Sequence, residues 1–444
     1  MKTIRSKKNG MLGLFMQVMS SMFLLLVLPV HANTLAFEGA KGFGKYTVGG
    51  NLGEVLVVNS LEDTTKKHVG TLRWAVNQPY PRLVVFSVSG VIELKSPLDV
   101  KHDNLTLAGQ TSPKGIVISG AETRVKANQV IIRYLRFRPG DTASQNDALF
   151  IRNQKDIIVD HCSLSWANDE VGSFYNNTRF TLQNSILSES LNNAGHSKGQ
   201  HGYGGIWGGN FASFIENVLV SHTSRNPRVN GWRLNPNYAQ EHEFVDIRNN
   251  VIANWRSNSG YGGEGGRTNL IANYYKPGST TKALRFFQLW STDSEPTLLH
   301  VSDNLMHGNS EMSENNILGI DVKGNKRGSD AFDIITGMSL SSHPFEAEAI
   351  KALGDDTLTA LQVWQKLVIE KEVGANKTRS SGEHDPVDTR ILAQLADNSY
   401  VEGNGIIDST KEVIEWPRYK AYFQAASVAE EQLTPAKWKQ LSGL

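Results

Sequence analysis

The chain has 444 residues, of which 39% are hydrophobic, 20% charged and 9% aromatic. That composition is globular, and it excludes a disordered chain, a collagen and a multi-pass membrane protein. Lys plus Arg number 45 against 44 Asp plus Glu, a net charge of +1, so no global field recruits nucleic acid or an anionic membrane and any anionic partner must be held by a local cluster.

From the N-terminus, Lys2, Arg5, Lys7 and Lys8 precede an apolar stretch from Met11 to Val30. Gln17, Ser20 and Ser21 interrupt it, and Val30-His31-Ala32 forms a cleavage-like end. Residues 1–32 are therefore read as a secretory signal peptide rather than a membrane anchor, with an extracellular or periplasmic destination and no membrane attachment after its removal. Cys162 is the single cysteine, so no internal disulfide forms, and its apolar surroundings suit a buried inert thiol.

The region 33–100 is mixed. Gly39, Gly42, Gly44, Gly49 and Gly50 mark turns, Leu72–Val76 opens a short helix, and 82–94 reads as the first strands. No phosphate-loop pattern is present. From about 100 to 310, short apolar runs recur, each closed by Gly, Asn, Asp or Ser: 104–109, 115–120, 129–140, 156–166, 179–190, 213–222, 243–255, 267–275 and 298–308. Aligned on a polar residue in mid-run, His161, Asn184, Asn217, Asn250, Asn273 and Asn304 share a column, with spacings of 23, 33, 33, 23 and 31. A coil of about 23 residues carrying variable insertions is the mark of a stacked solenoid. The fold expected is all-β, a right-handed parallel β-helix, with a column of Asn satisfying the bent backbone at an inward turn. A β-sandwich gives short strands but no Asn at one repeated offset. Past about 320 the period fades. Residues 347–354, 357–373 and 388–397 have helical spacing, so 33–320 is taken as the β-helix and 321–444 as a helical and loop extension packed on it.

Eight residues past the column lie Asp169, Asn192 and Arg225. In register, Asp169 and Arg225 fall on one face two rungs apart, roughly 10 Å. Asp147 precedes the Asp169 rung, and Lys198 lies in the insertion 196–205. Two carboxylates, a Lys and an Arg thus converge on one groove. Paired carboxylates suit a hard cation such as Ca2+. His196 and His201, five apart on a Gly-rich loop, make a poor zinc signature. A cation beside Lys and Arg suits a polyanion, and an extended groove suits an acidic polysaccharide.

At these residues the sequence resembles the pectate lyases of polysaccharide lyase family 1. The resemblance lies in AFEGAKGFGKYTVGG (36–50), TLRWAV (71–76), VVFSVSGVIEL (84–94), LTLAGQTSP (105–113), VIIRYLRFRPGD (130–141), VDHCSLSW (159–166), ANDEVGSF (167–174), HGYGGIWGG (201–209) and SRNPRVNG (224–231). It implies Ca2+-dependent β-elimination on polygalacturonate by a monomer. It also implies that Arg225 is the catalytic base, that Lys198 acts with it, and that Asp147 and Asp169 hold calcium. Where the family usually carries a further carboxylate ligand, this chain has Ser173, with Glu170 as the alternative. Asn230 occupies the place of the family's second arginine, and Arg228 is the substitute expected to clamp a substrate carboxylate. His196, on the same insertion as Lys198, is assigned to substrate binding. A β-helix glycoside hydrolase enlisting Asp160, Asp169 and Glu170, a non-catalytic pectin-binding β-helix and a calcium-free pectin lyase are the rival readings.

Overall fold

The computed structural model describes residues 34–141, 146–290, 297–323, 339–400, 403–424 and 433–444. The proposed signal peptide lies outside the described residues. Among them, no helix is long and apolar enough to cross a membrane.

The strands pair in parallel, coil upon coil. Among the described residues one sheet has nine strands, from Gly90–Glu93 through Ser163–Ser165 to Leu305–Met306, and a larger sheet has 17. In the nine-stranded sheet Ser163 pairs with Ile186, Ile186 with Val218, Val218 with Val251, Val251 with Tyr274 and Tyr274 with Leu305. This is the stacked solenoid that the recurring runs predict. Many of the strands are covered on both faces and so are apolar without strict alternation: Leu105–Ala108, Ile116–Ser119 and Val130–Arg133 are buried throughout. The interior of the coil holds a run of aromatic rings: Phe174 stacks on Phe180 at 5.3 Å, Phe180 meets Phe214 at 5.6 Å and Trp207 stacks on Phe214 at 4.2 Å. Trp166, Trp207 and Trp255 are fully buried and serve packing. Cys162 is buried too, and burial pushes its thiol up to about 12.

The polar column is real but begins one residue later than the sequence alignment puts it. Asn217, Asn250 and Asn273 each donate their backbone N–H and side-chain amide to the next Oδ1, that of Asn250, Asn273 and Asn304, over 2.9–3.0 Å. Asn304 passes the ladder to Asn316. At the other end Ser185, not Asn184, donates its N–H to Asn217 at 2.9 Å, and Cys162 donates to the Ser185 hydroxyl at 3.1 Å. His161 and Asn184 stand one position earlier, both at φ 49°. They take the left-handed turn that Glu216, Asn249, Ala272 and Asp303 take in later coils.

Helices at Ala360–Trp364, Pro386–Asp397 and Trp416–Gln424 cover the outer face of the nine-stranded sheet. Val363, Leu367, Leu392, Leu395 and Phe423 pack with Val117, Ile186, Val218 and Val251. An ion cluster fixes the joint. Asp385 pairs with Arg136 at 2.9 Å and Arg138 at 2.5 Å, while Asp388 pairs with Arg138 at 2.6 Å and accepts from the Ser163 hydroxyl at 2.5 Å. Asp385 also caps its helix, accepting from the N–H groups of Val387 and Asp388. Burial opposes its charge, but the two guanidinium groups hold its carboxyl well below the usual range. Its stabilisation is therefore complete above about pH 4 and fades as the pH falls through that depressed value. Replacing Asp385 by Ala leaves the buried Arg136 without a carboxylate and Arg138 with Asp388 alone, and should cost about 3–5 kcal/mol in denaturant unfolding at neutral pH. An unchanged midpoint would show that the cluster does not hold the extension.

Candidate active site

On the larger sheet the strand Glu170–Gln183 lies between Leu149–Arg152 and Tyr203–Ile215. Leu149 pairs with Gly172, Glu170 with Tyr203 and Tyr203 with Ser224. Asp147 therefore stacks on Glu170, 23 residues or one coil later, and the Glu170 N–H donates to Asp147 Oδ1 at 3.0 Å. Asp169 precedes Glu170 and is tied through its N–H to Asn146 O at 3.2 Å. One oxygen from each of Asp147, Asp169 and Glu170 lies within 4.8 Å of the others. Asp147, Glu170 and Ser173 are buried, while the Asp169 side chain keeps 31% exposure.

Arg225 reaches across the Tyr203 rung to form an ion pair with Glu170, its guanidinium 4.0 Å from the Tyr203 ring centroid. Its backbone sits at φ 60°, a strained conformation for a side-chain-bearing residue that costs roughly 1–3 kcal/mol. Neighbouring rungs hold it there: Gly205 N–H donates to Arg225 O at 2.8 Å and Asn226 N–H to Ser259 O at 3.0 Å.

The electrostatics are those of crowded acids. Burial drives Asp147 well above the usual carboxylate range, and Asp169 and Glu122 add repulsion, while the Ser173 hydroxyl and Arg225 oppose it. Glu122, one rung before, accepts the Asp147 N–H, and burial pushes it up to about 7 against the pull of Arg124. Carboxylates packed like this around one cationic side chain have the hard oxygen donors that a divalent ion such as Ca2+ requires.

The structure thus brings Asp147, Asp169, Ser173 and Arg225 together. Ser173 touches Asp147 through its hydroxyl. His196 joins them from above, with Nε2 3.5 Å from Asp169. Lys198 stays on the exposed rim of the loop, its backbone N–H donating to His196 Nδ1 at 3.1 Å. Arg228 is buried and its guanidinium is taken by Glu264 at 2.5 and 2.8 Å. Asp160 is fully buried and paired with Arg133 at 2.8 Å, so it belongs to the scaffold. Sequence reasoning gave Glu170 second place behind Ser173, yet it is Glu170 that meets both Asp147 and Arg225; the 23-residue interval from Asp147 was the signal. Glu122 and Glu264 carry no signal in the sequence, and His201, whose spacing from His196 is a poor zinc signature, lies beside Asp169 in the fold.

No family model matches the chain. Among solved structures, a cedar-pollen allergen, jun a 1, superposes with a TM-score of 0.53 at 17% identity, covering 76% of this chain and 92% of the allergen. The thermostable pectate lyase PL 47 gives 0.52 at 14%, covering 77% and 98%. Those likenesses define the class of the fold, the parallel β-helix. The probable pectate lyase C of Aspergillus flavus is 34% identical over 386 residues, covering 84% of this chain and 79% of that protein. Its counterpart in Aspergillus oryzae matches at 34% over the same length, and a Lilium longiflorum pectate lyase at 32% over 170 residues. The chain belongs to the pectate lyase family and is a polysaccharide lyase.

Burial of the acids, together with their mutual repulsion, has a measurable consequence. Because Asp147 is harder to ionise in the folded chain than in the unfolded one, it costs stability increasingly as the pH rises past the usual carboxylate range. In chelator, Asp147→Asn should raise the melting temperature by a few degrees, worth about 1 kcal/mol, and more at about pH 8 than at about pH 5. A lower melting temperature in the variant would refute the crowding.

Proposed function

We propose that the chain is an exported, calcium-dependent lyase that cleaves polygalacturonate by β-elimination, leaving 4,5-unsaturated ends. The observation that carries this reading is the contact of Arg225 with Glu170 at the edge of the Asp147–Asp169–Glu170 cluster. The basic and apolar pattern of residues 1–32 supports export. Asp147, Asp169 and Glu170 would hold Ca2+, with the Ser173 hydroxyl orienting Asp147. When bound, the ion supplies charge neutralisation at the uronate carboxylate, which acidifies the adjacent C5 proton.

The chain's own residues do the rest. Arg225 keeps 24% side-chain exposure while its guanidinium packs over the Tyr203 ring. It takes the C5 proton as base. A guanidinium resists deprotonation, so the arginine becomes a base only once it is released from Glu170 and faces the substrate. This demand predicts activity rising towards alkaline pH. Lys198, on the loop rim, is placed to swing over bound substrate and stabilise the developing enolate charge. Arg228 would have to leave Glu264 to clamp a substrate carboxylate directly. Held as it is, it packs against Tyr261 and Trp290, whose ring centroids lie 5.2 and 4.8 Å from its guanidinium.

The test is digestion of polygalacturonate followed by the ultraviolet absorbance of unsaturated ends. Wild type should be active with Ca2+ and silent in chelator, and Arg225→Ala should lose at least about 10²-fold in kcat at matched Ca2+ occupancy. New reducing ends without unsaturation would instead mark a hydrolase. Near-full activity in Arg225→Lys at matched pH would remove Arg225 as the base.

A further inference from the structure

We propose that the cation centre has an imidazole ligand, His201, and so takes first-row divalent transition-metal ions, such as Co2+ or Mn2+, as well as Ca2+. The inference rests on the reading of the acidic cluster as a cation site and extends it by one donor.

The argument starts from the geometry of the ring. His201 Nδ1 lies 3.2 Å from Gly199 O, an atom that can only accept, so Nδ1 is the nitrogen that donates and Nε2 is the one turned to the site. That Nε2 points at Asp169 Oδ1 from 3.8 Å. The separation is too long for a good hydrogen bond and leaves room for a cation between nitrogen and oxygen. The side chain is 7% exposed, and among the described residues Nε2 has no hydrogen-bond donor. An N–H given to a backbone carbonyl and a lone pair given to the site is the usual arrangement of a metal-ligating histidine.

His196 behaves in the opposite way, although its ring stacks on His201 at 3.4 Å. Its Nδ1 accepts the Lys198 N–H, which places the proton on Nε2, facing Asp169 Oδ2 at 3.5 Å. His196 is thus a positioning residue: it donates towards Asp169, while His201 offers it a vacant pair. Asp169 is the member common to the His196–His201 group and to the Asp147–Glu170 group, so the imidazole donors adjoin the carboxylate cluster through one shared ligand. Calcium prefers oxygen, whereas Mn2+, Co2+, Ni2+ and Zn2+ gain from an imidazole nitrogen. The five-residue spacing that looks poor in sequence is overcome because Gly199 and Gly202, at φ 86° and 70°, fold the loop back on itself.

The experiment uses the full chain, stripped with chelator. Co2+ is titrated in and followed by its visible d–d absorption, and Ca2+ is titrated in parallel by calorimetry. His201→Phe keeps a ring to stack on His196 and Tyr203 but removes the lone pair. Wild type should develop the Co2+ band with one equivalent. His201→Phe should weaken Co2+ binding by roughly 10–100-fold, with Ca2+ affinity held within about threefold, which also shows that the variant is folded. Absence of a Co2+ band in wild type, or an unchanged band in His201→Phe, would overturn the proposal. The lyase reading fails separately: a His201-dependent Co2+ band in a protein that forms no unsaturated ends would sink that reading and leave this one standing.

Discussion

The molecule depends on parallel registration of one coil on the next. Each strand finds hydrogen-bond partners only in the coils above and below, so no coil is stable alone and every side chain's position along the axis is inherited from its neighbours. Where the backbone bends between sheets, hydrogen bonding would be lost. The Asn217–Asn250–Asn273–Asn304 ladder restores it, each amide serving its own turn and the next. An error of one residue in this register would flip outward and inward positions in the affected strand. The site inherits this rigidity: Asp147, Glu170 and Tyr203 sit one above another because Leu149, Gly172 and Gly205 do.

Much of this was legible in the sequence, and the reasons for the rest are specific. Repetition reveals a solenoid because insertions lengthen loops without disturbing the coil. The Asn column was visible where Asn fills it, from 217 onward. At its start Cys162 and Ser185 occupy the column, and the neighbouring His161 and Asn184 were chosen for being more polar. That slip of one residue put Asp169 where Glu170 stands. It mattered little for assembling the site, because adjacent carboxylates both reach it, and it mattered greatly for roles, since Glu170 alone touches Arg225. His201 stands in the sequence as a poor zinc signature for another reason: which ring nitrogen faces the site depends on a carbonyl two residues away, and no spacing rule encodes that.

The site also shows how a fold pays for chemistry. Buried acids repel, Arg225 is held in a left-handed conformation, and Glu122 and Asp147 are harder to ionise than free carboxyls. The surrounding coils, fully buried and tightly registered, offset these costs. The candidate site is thus confined to a short arc of the larger sheet, while the nine-stranded sheet carries the covering helices.

That other side has a consequence for biogenesis. Val117, Ile186, Val218 and Val251 form an apolar wall covered by residues from beyond position 360. The ribosome completes every coil before it releases the segments that shield this wall. A nascent or truncated chain therefore presents a sticky flank to its surroundings until Asp385 finds Arg136 and Arg138. Chaperones that delay compaction until the whole chain is available would suit such a molecule, and loss of the last helices should be felt first as poor yield rather than as altered chemistry.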